Sequence, residues 1–199
     1  TLGLEHKHMN KKHVKKIPCS ALKCGSAKIE NLKNILTCPF DENTASIHKL
    51  LSYFLYSAPG IESVHSYVIP REEHSAILSR MLDDRHFCYT KFCSPNAQIE
   101  DELKKASLNG DELCLKCKRF VCKKERTPKN KEKESDLDCF LRHIRNAIAH
   151  GRFYYRHAGN KVHILFEDIN KSGNYSARIV CIKADLQEWK NILEHSTPH

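Results

Sequence analysis

The stretch Leu137–Phe153, LDCFLRHIRNAIAHGRF, constrains this chain more than any other. Leu137, Phe140, Leu141, Ile144 and Ile148 recur at the three-and-four spacing of a buried helical stripe. Ser135 or Asp136 stands where such a helix wants its N-cap. Gly151 supplies the left-handed position at which it commonly stops. The opposite side carries polar residues that a packing helix does not need. Arg142, Asn146 and His150 form a row at successive spacings of four, with His143 and Arg145 on its flanks.

Further helices are expected around this one. Ile29, Leu32, Ile35 and Leu36 predict a short helix over 27–37, ended by Cys38-Pro39. Thr44 caps a stronger one that runs to Ala58, with Ile47, Leu50, Leu51, Phe54 and Leu55 on one stripe, and Pro59-Gly60 stops it. Pro70 opens a helix to about Asp84 that buries Ile77, Leu78, Met81 and Leu82. Ser94-Pro95 opens another, to Leu108. Leu113, Cys117, Phe120 and Val121 predict a helix from Asp111 to about Arg126. Residues 127–135, TPKNKEKES, read as a loop.

The period changes after Gly151. Residues 152–156, 162–169 and 175–183 alternate and are rich in branched and aromatic side chains, with 170–174 a turn between the last two. Asp185 with Glu188 then opens a final helix over 185–194 bearing Leu186, Trp189, Ile192 and Leu193. The expectation is a mainly α, helical-bundle fold with a small antiparallel β-hairpin or three-stranded sheet near the C-terminus, over 152–183. It forms one domain, 19–199, behind a basic arm, 1–18, that holds HKHMNKKHVKK.

The chain of 199 residues has 33 Lys and Arg against 24 Asp and Glu, a formal charge of +9. That balance suits a polyanion such as nucleic acid. No apolar run reaches the length of a membrane span. No charged-then-apolar leader opens the chain, which predicts a cytoplasmic protein. Its 10 Cys are then expected as reduced thiols. The best metal-like spacing is Cys114-x-x-Cys117 with Cys122. Cys88 and Cys93, or Cys19 and Cys24, are the partners that would complete a zinc site. Buried free thiols are the favoured alternative, and no cofactor is otherwise expected. Cys139 and Cys181 read as packing residues.

Residues 145–150 read R-N-x-x-x-H, and residues 145–153 read R-N-A-x-A-H-G-R-F. This resembles the RNA-cleaving signature of the HEPN superfamily, closest to a plasmid-borne subgroup. The resemblance implies a small helical, metal-independent ribonuclease that acts as a homodimer, a toxin or anti-phage effector, with an antitoxin or inhibitor protein as a further partner. Residues five apart on a helix point about 140° apart. Arg145 and His150 therefore meet at one phosphate only if the helix end frays or a second copy packs against the first.

RNA cleaves when its 2′-hydroxyl attacks the adjacent phosphate, leaving a 2′,3′-cyclic phosphate. A His suits the proton transfers, and an Arg matches phosphate oxygens. The expected roles are His150 as general acid or base, Arg145 as phosphate stabiliser and Asn146 as orienter. Arg142, His143 and Arg152 are expected RNA contacts. The alternatives are a HEPN-like module that binds RNA, nucleotide or protein without cutting, and a zinc-stabilised nucleic-acid adaptor.

Overall fold

The computed structural model describes residues 27–28, 45–59, 68–110, 112–127, 131–158 and 160–196. The basic arm and most of the first expected helix, 29–37, lie outside them. Along the chain come β1 (Ala27–Lys28), α1 (Ala45–Ser52), α2 (His74–Leu82), β2 (Tyr89–Cys93), α3 (Ile99–Lys105), β3 (Glu112–Leu113) and β4 (Arg119–Lys123). Then come α4 (Asp136–Ala149), β5 (Phe153–Ala158), β6 (Lys161–Ile169), β7 (Tyr175–Ile182) and α5 (Lys183–His195). No helix among the described residues is long and apolar enough to cross a membrane.

The expected helical bundle with a small hairpin is corrected by the sheet. Five strands pair in the order β2-β4-β7-β6-β5, with β2 parallel to β4 and the other pairs antiparallel. This is an α+β arrangement. The three strands expected after Gly151 are present, but as one side of that sheet.

The sheet continues into a region expected to be helical. Residues 112–123 form β3, a loop and β4. Leu113, Cys117, Phe120 and Val121 fit a helical period only because β4 is buried on both faces. Phe120 and Cys122 enter the core on one face and Val121 the core on the other. A strand of that kind loses its alternation. Arg119 hides it further, because it reads as a surface charge and is 1% exposed. The helix expected from Ser94 begins only at Ile99 and ends at Lys105. Ala27–Lys28, expected in a helix, pairs antiparallel with β3.

Two cores flank the sheet. On one face α1, α2, α4 and α5 bury Phe54, Ile77, Phe140, Ile144 and Trp189 against Phe120, Tyr155, Ile164, Phe166 and Ile179. Trp189 also donates its indole N–H to the Met81 carbonyl at 2.7 Å. On the other face α3 and the β3–β4 loop cover Leu165, Val180 and Val121 with Ile99, Leu103 and Leu115. Pro70 leads through a 3-10 turn, Arg71–Glu73, into α2, which buries Ile77, Leu78 and Met81 as its spacing predicts. α1 widens into a π-helical turn, Tyr53–Ser57, before Pro59. Asp185 does not start α5. It sits at the third helical position and accepts the Ile182 N–H at 2.9 Å.

Candidate functional site

The central helix forms as its sequence dictates. The Ser135 hydroxyl accepts the Asp138 N–H at 3.0 Å, an N-cap in its ordinary form. Leu137, Phe140, Leu141 and Ile144 are buried. His150 is the C-cap, and Gly151 follows at φ 64°. The helix lies across the first face of the sheet with its end beside β6.

The polar row on α4 turns inward. His143 is 1% exposed, and each of its ring nitrogens lies within hydrogen-bond distance of an oxygen. Nδ1 reaches Asp168 Oδ2 at 2.7 Å, and Nε2 reaches the Lys123 carbonyl at 2.8 Å. Asn146, one turn on, donates its amide to the same Asp168 oxygen at 3.0 Å. Arg142 spans Glu134 with two hydrogen bonds, 2.5 and 3.0 Å, and adds the Lys123 carbonyl at 3.2 Å. These contacts fasten α4 to the ends of β4 and β6. Arg142 and His143, expected to touch RNA, are engaged within the fold.

Asp168 is the residue that the motif did not reveal. Ile164 and Phe166 face the helical side of the sheet, so position 168 shares that face by strand alternation. A carboxylate at that parity was the available signal. A β-bulge falls between Asp168 and Ile169, where the β6–β7 register shifts. Bulges re-aim a side chain in this way. Burial alone would raise the Asp168 carboxyl. The hydrogen bond and charge of His143, then Asn146 and the Arg142 charge, outweigh it and hold the group below the usual carboxylate range. Glu134 is likewise held low against its burial, chiefly by Arg142.

Arg145 and His150 are not brought together within one chain. Arg145 is 7% exposed and donates Nη2 to the Ala58 carbonyl at 3.0 Å, at the end of the π turn. His150 is exposed, and its ring makes no hydrogen bond to a described residue. Only its backbone is held, by the Asn146 carbonyl at 3.0 Å. Arg152 is half-buried. Its backbone N–H meets the Ala147 carbonyl at 2.7 Å, and its guanidinium meets the Ile169 carbonyl at 3.1 Å. The exposed imidazole of His150 thus ends a helix whose Asn146 is held by Asp168, and it precedes Arg152, which is held by the Ile169 carbonyl.

The candidate zinc thiols are dispersed. Cys114 and Cys117 lie with sulfurs 3.8 Å apart. Cys122 is buried in the core against α4, and Cys93 in the core on the opposite face. Strand alternation at β4 sends Cys122 away from the loop that holds Cys117. Cys88 is half-buried, with its backbone N–H on the Lys118 carbonyl. Among the described residues no three Cys, His, Asp or Glu side chains form a metal-binding group.

A family model described as HEPN pEK499 p136 matches residues 7–195. Searches of curated proteins and of solved structures found no match.

Proposed function

The chain belongs to the HEPN pEK499 p136 family, a plasmid-associated branch of the nuclease-type, RNA-related HEPN modules, and from that premise we propose that it is a metal-independent endoribonuclease acting as a homodimer. The observation that supports this reading most is His150. Its imidazole is exposed and makes no hydrogen bond to a described residue, while Asn146 and Arg152 beside it are held. His150 moves the proton of the attacking 2′-hydroxyl or of the leaving 5′-oxygen. One His per chain serves one transfer, and a second copy across a two-fold axis supplies the other.

Asn146, held by Asp168, keeps the last turn of α4 in register and orients His150. Arg142 and His143 act as positioning residues beneath it, and Arg152 is the RNA contact at the rim. Arg145 stabilises phosphate charge when its guanidinium leaves the Ala58 carbonyl for the substrate. The target is RNA of the host cell, and the biological role is that of a toxin or anti-phage effector restrained by an inhibitor protein.

The burial of Arg145 favours a second reading, a module that binds RNA or nucleotide without cutting it. The two separate cleanly. His150→Ala removes cleavage and leaves folding intact if the chain is a nuclease. If the chain only binds, wild type and variant both retain RNA without shortening it.

A further inference from the structure

We propose that Lys116, Arg156 and Lys161 form a second RNA surface, which holds the sugar–phosphate backbone of a strand whose reacting phosphate lies at His150. The inference rests on RNA as the substrate and adds where the rest of the strand goes. The first ground is charge along the chain. No Asp or Glu stands between Asp138 and Glu167, a stretch that holds Arg142, Arg145, Arg152, Arg156 and Lys161. Arg142 and Arg145 are turned into the fold, whereas Arg156 and Lys161 are exposed.

The second ground is geometry. Tyr154 and Leu165 enter the core on the sheet face opposite α4. By strand alternation, Arg156 on β5 and Lys161 and His163 on β6 share that face. Arg156 stands directly across from His163, and Lys161 lies two residues before it. His163 Nδ1 lies 2.7 Å from the Leu115 carbonyl, which brings the next residue, the exposed Lys116, to the same place. Three cations thus gather around one buried imidazole. Burial pushes that imidazole below its ordinary value, and the charges of Lys161, Lys116 and Arg156 push the same way against the Leu115 hydrogen bond.

The third ground is the lack of counter-ions. Elsewhere on the surface Glu102 takes up Lys105, Asp136 takes up Lys124 and Glu194 takes up Lys190. Among the described residues no carboxylate pairs with Lys116, Arg156 or Lys161. Like charges brought together in this way repel one another, and a polyanion relieves that repulsion.

The strand has a route from His150 to this surface. Arg156 lies four residues beyond Arg152, about 14 Å along an extended chain. β5 is the last strand of its sheet, with no described strand on its outer side. The Glu167 N–H meets the Arg152 carbonyl at 2.9 Å, so the alternate backbone groups, at Phe153, Tyr155 and His157, point away from β6. Outward N–H groups of this kind donate to phosphate oxygens. RNA running from His150 past Arg152 therefore meets donors until it reaches the three cations. These contacts are to phosphate and sugar, so the surface reads length and charge rather than base sequence.

The test is binding of a fluorescent 2′-O-methyl RNA of about 12 nucleotides, which cannot be cut, to the full chain as salt is varied. Each phosphate contact on a single strand adds about 0.7 to the slope of log affinity against log salt, so the triple variant Lys116→Ala/Arg156→Ala/Lys161→Ala should bind more weakly and lose about 2 from that slope. Lys161→Ala alone should lose about 0.7. Lys49→Ala/Lys91→Ala/Lys104→Ala, at exposed lysines on α1, β2 and α3, should keep the wild-type slope. In cleavage, the first triple variant should raise KM for a long RNA and cut a dinucleotide as the wild type does. Binding without any cleavage, its slope lost in that variant, would keep this surface and discard the nuclease. A wild type that does not bind the probe would overturn the proposal. So would wild-type affinity and slope in the first triple variant, or an equal loss in the second, whether or not His150 cleaves.

Discussion

Asp168→Ala tests the polar tether beneath the candidate site. Asp168 is 6% exposed and accepts from His143 at 2.7 Å and Asn146 at 3.0 Å through one oxygen. Hydrogen bonds to a charged group contribute about 1.5–3 kcal/mol each. Breaking a buried pair by deleting one partner costs about 3–5 kcal/mol. The two estimates overlap, so a loss of about 3–5 kcal/mol is expected. In a chain of this size each kcal/mol moves the midpoint by about 2–4 °C, so Tm should fall by roughly 6–20 °C. The assay is urea and thermal unfolding of Asp168→Ala, His143→Ala and the double variant. Coupled neighbours should miss additivity by about 0.5–3 kcal/mol. Effects that add to within about 0.5 kcal/mol would refute the tether. RNA cleavage should fall in Asp168→Ala even where the protein is fully folded, because Asn146 loses its hold.

Arg145→Ala should destabilise by about 1.5–3 kcal/mol, since it strips the buried Ala58 carbonyl of a charged donor; chemical denaturation measures this. His150→Ala should leave the same midpoint unchanged. Acid should also weaken the fold. Asp168 and Glu134 have carboxyls held below their unfolded values, so their stabilisation is present above about pH 4 and is lost as pH falls through the folded values. Tm against pH should show this slope, flattened in Asp168→Asn and Glu134→Gln. Phe120→Ala should cost about 3–5 kcal/mol, because its ring is fully buried against Phe92 and Phe140. A cost below 1 kcal/mol, measured by urea unfolding, would place residues 119–123 on the surface.

The helices were legible wherever one stripe faces a core. Leu137 to Ile148, with the Ser135 cap and the Gly151 stop, carries its whole plan locally. The strands after Gly151 were legible from their branched and aromatic runs and the turn at 170–174, although β6 and β7 are buried on both faces. β4 is likewise buried on both faces, which erases its period, and Arg119 disguises it further. Arg178 repeats the disguise in β7. It is fully buried, pairs with Glu167 at 2.6 Å and donates to the Leu108 and Gly110 carbonyls, also at 2.6 Å. The two carbonyls lie dozens of residues away, so no local window contains them. The candidate site divides along the same line. Asn146 and His150 could be picked from spacing, whereas Asp168 comes from β6 and meets the helix only in three dimensions.

Cleavage of a defined RNA by the untagged protein in EDTA tests the central claim most directly when the product ends are mapped. The account predicts a 2′,3′-cyclic phosphate and a 5′-hydroxyl, no cut where the 2′-hydroxyl is methylated, and a loss of about 10²-fold or more in His150→Ala. Equal cleavage by wild type and variant, or cleavage at a 2′-O-methyl position, would contradict it.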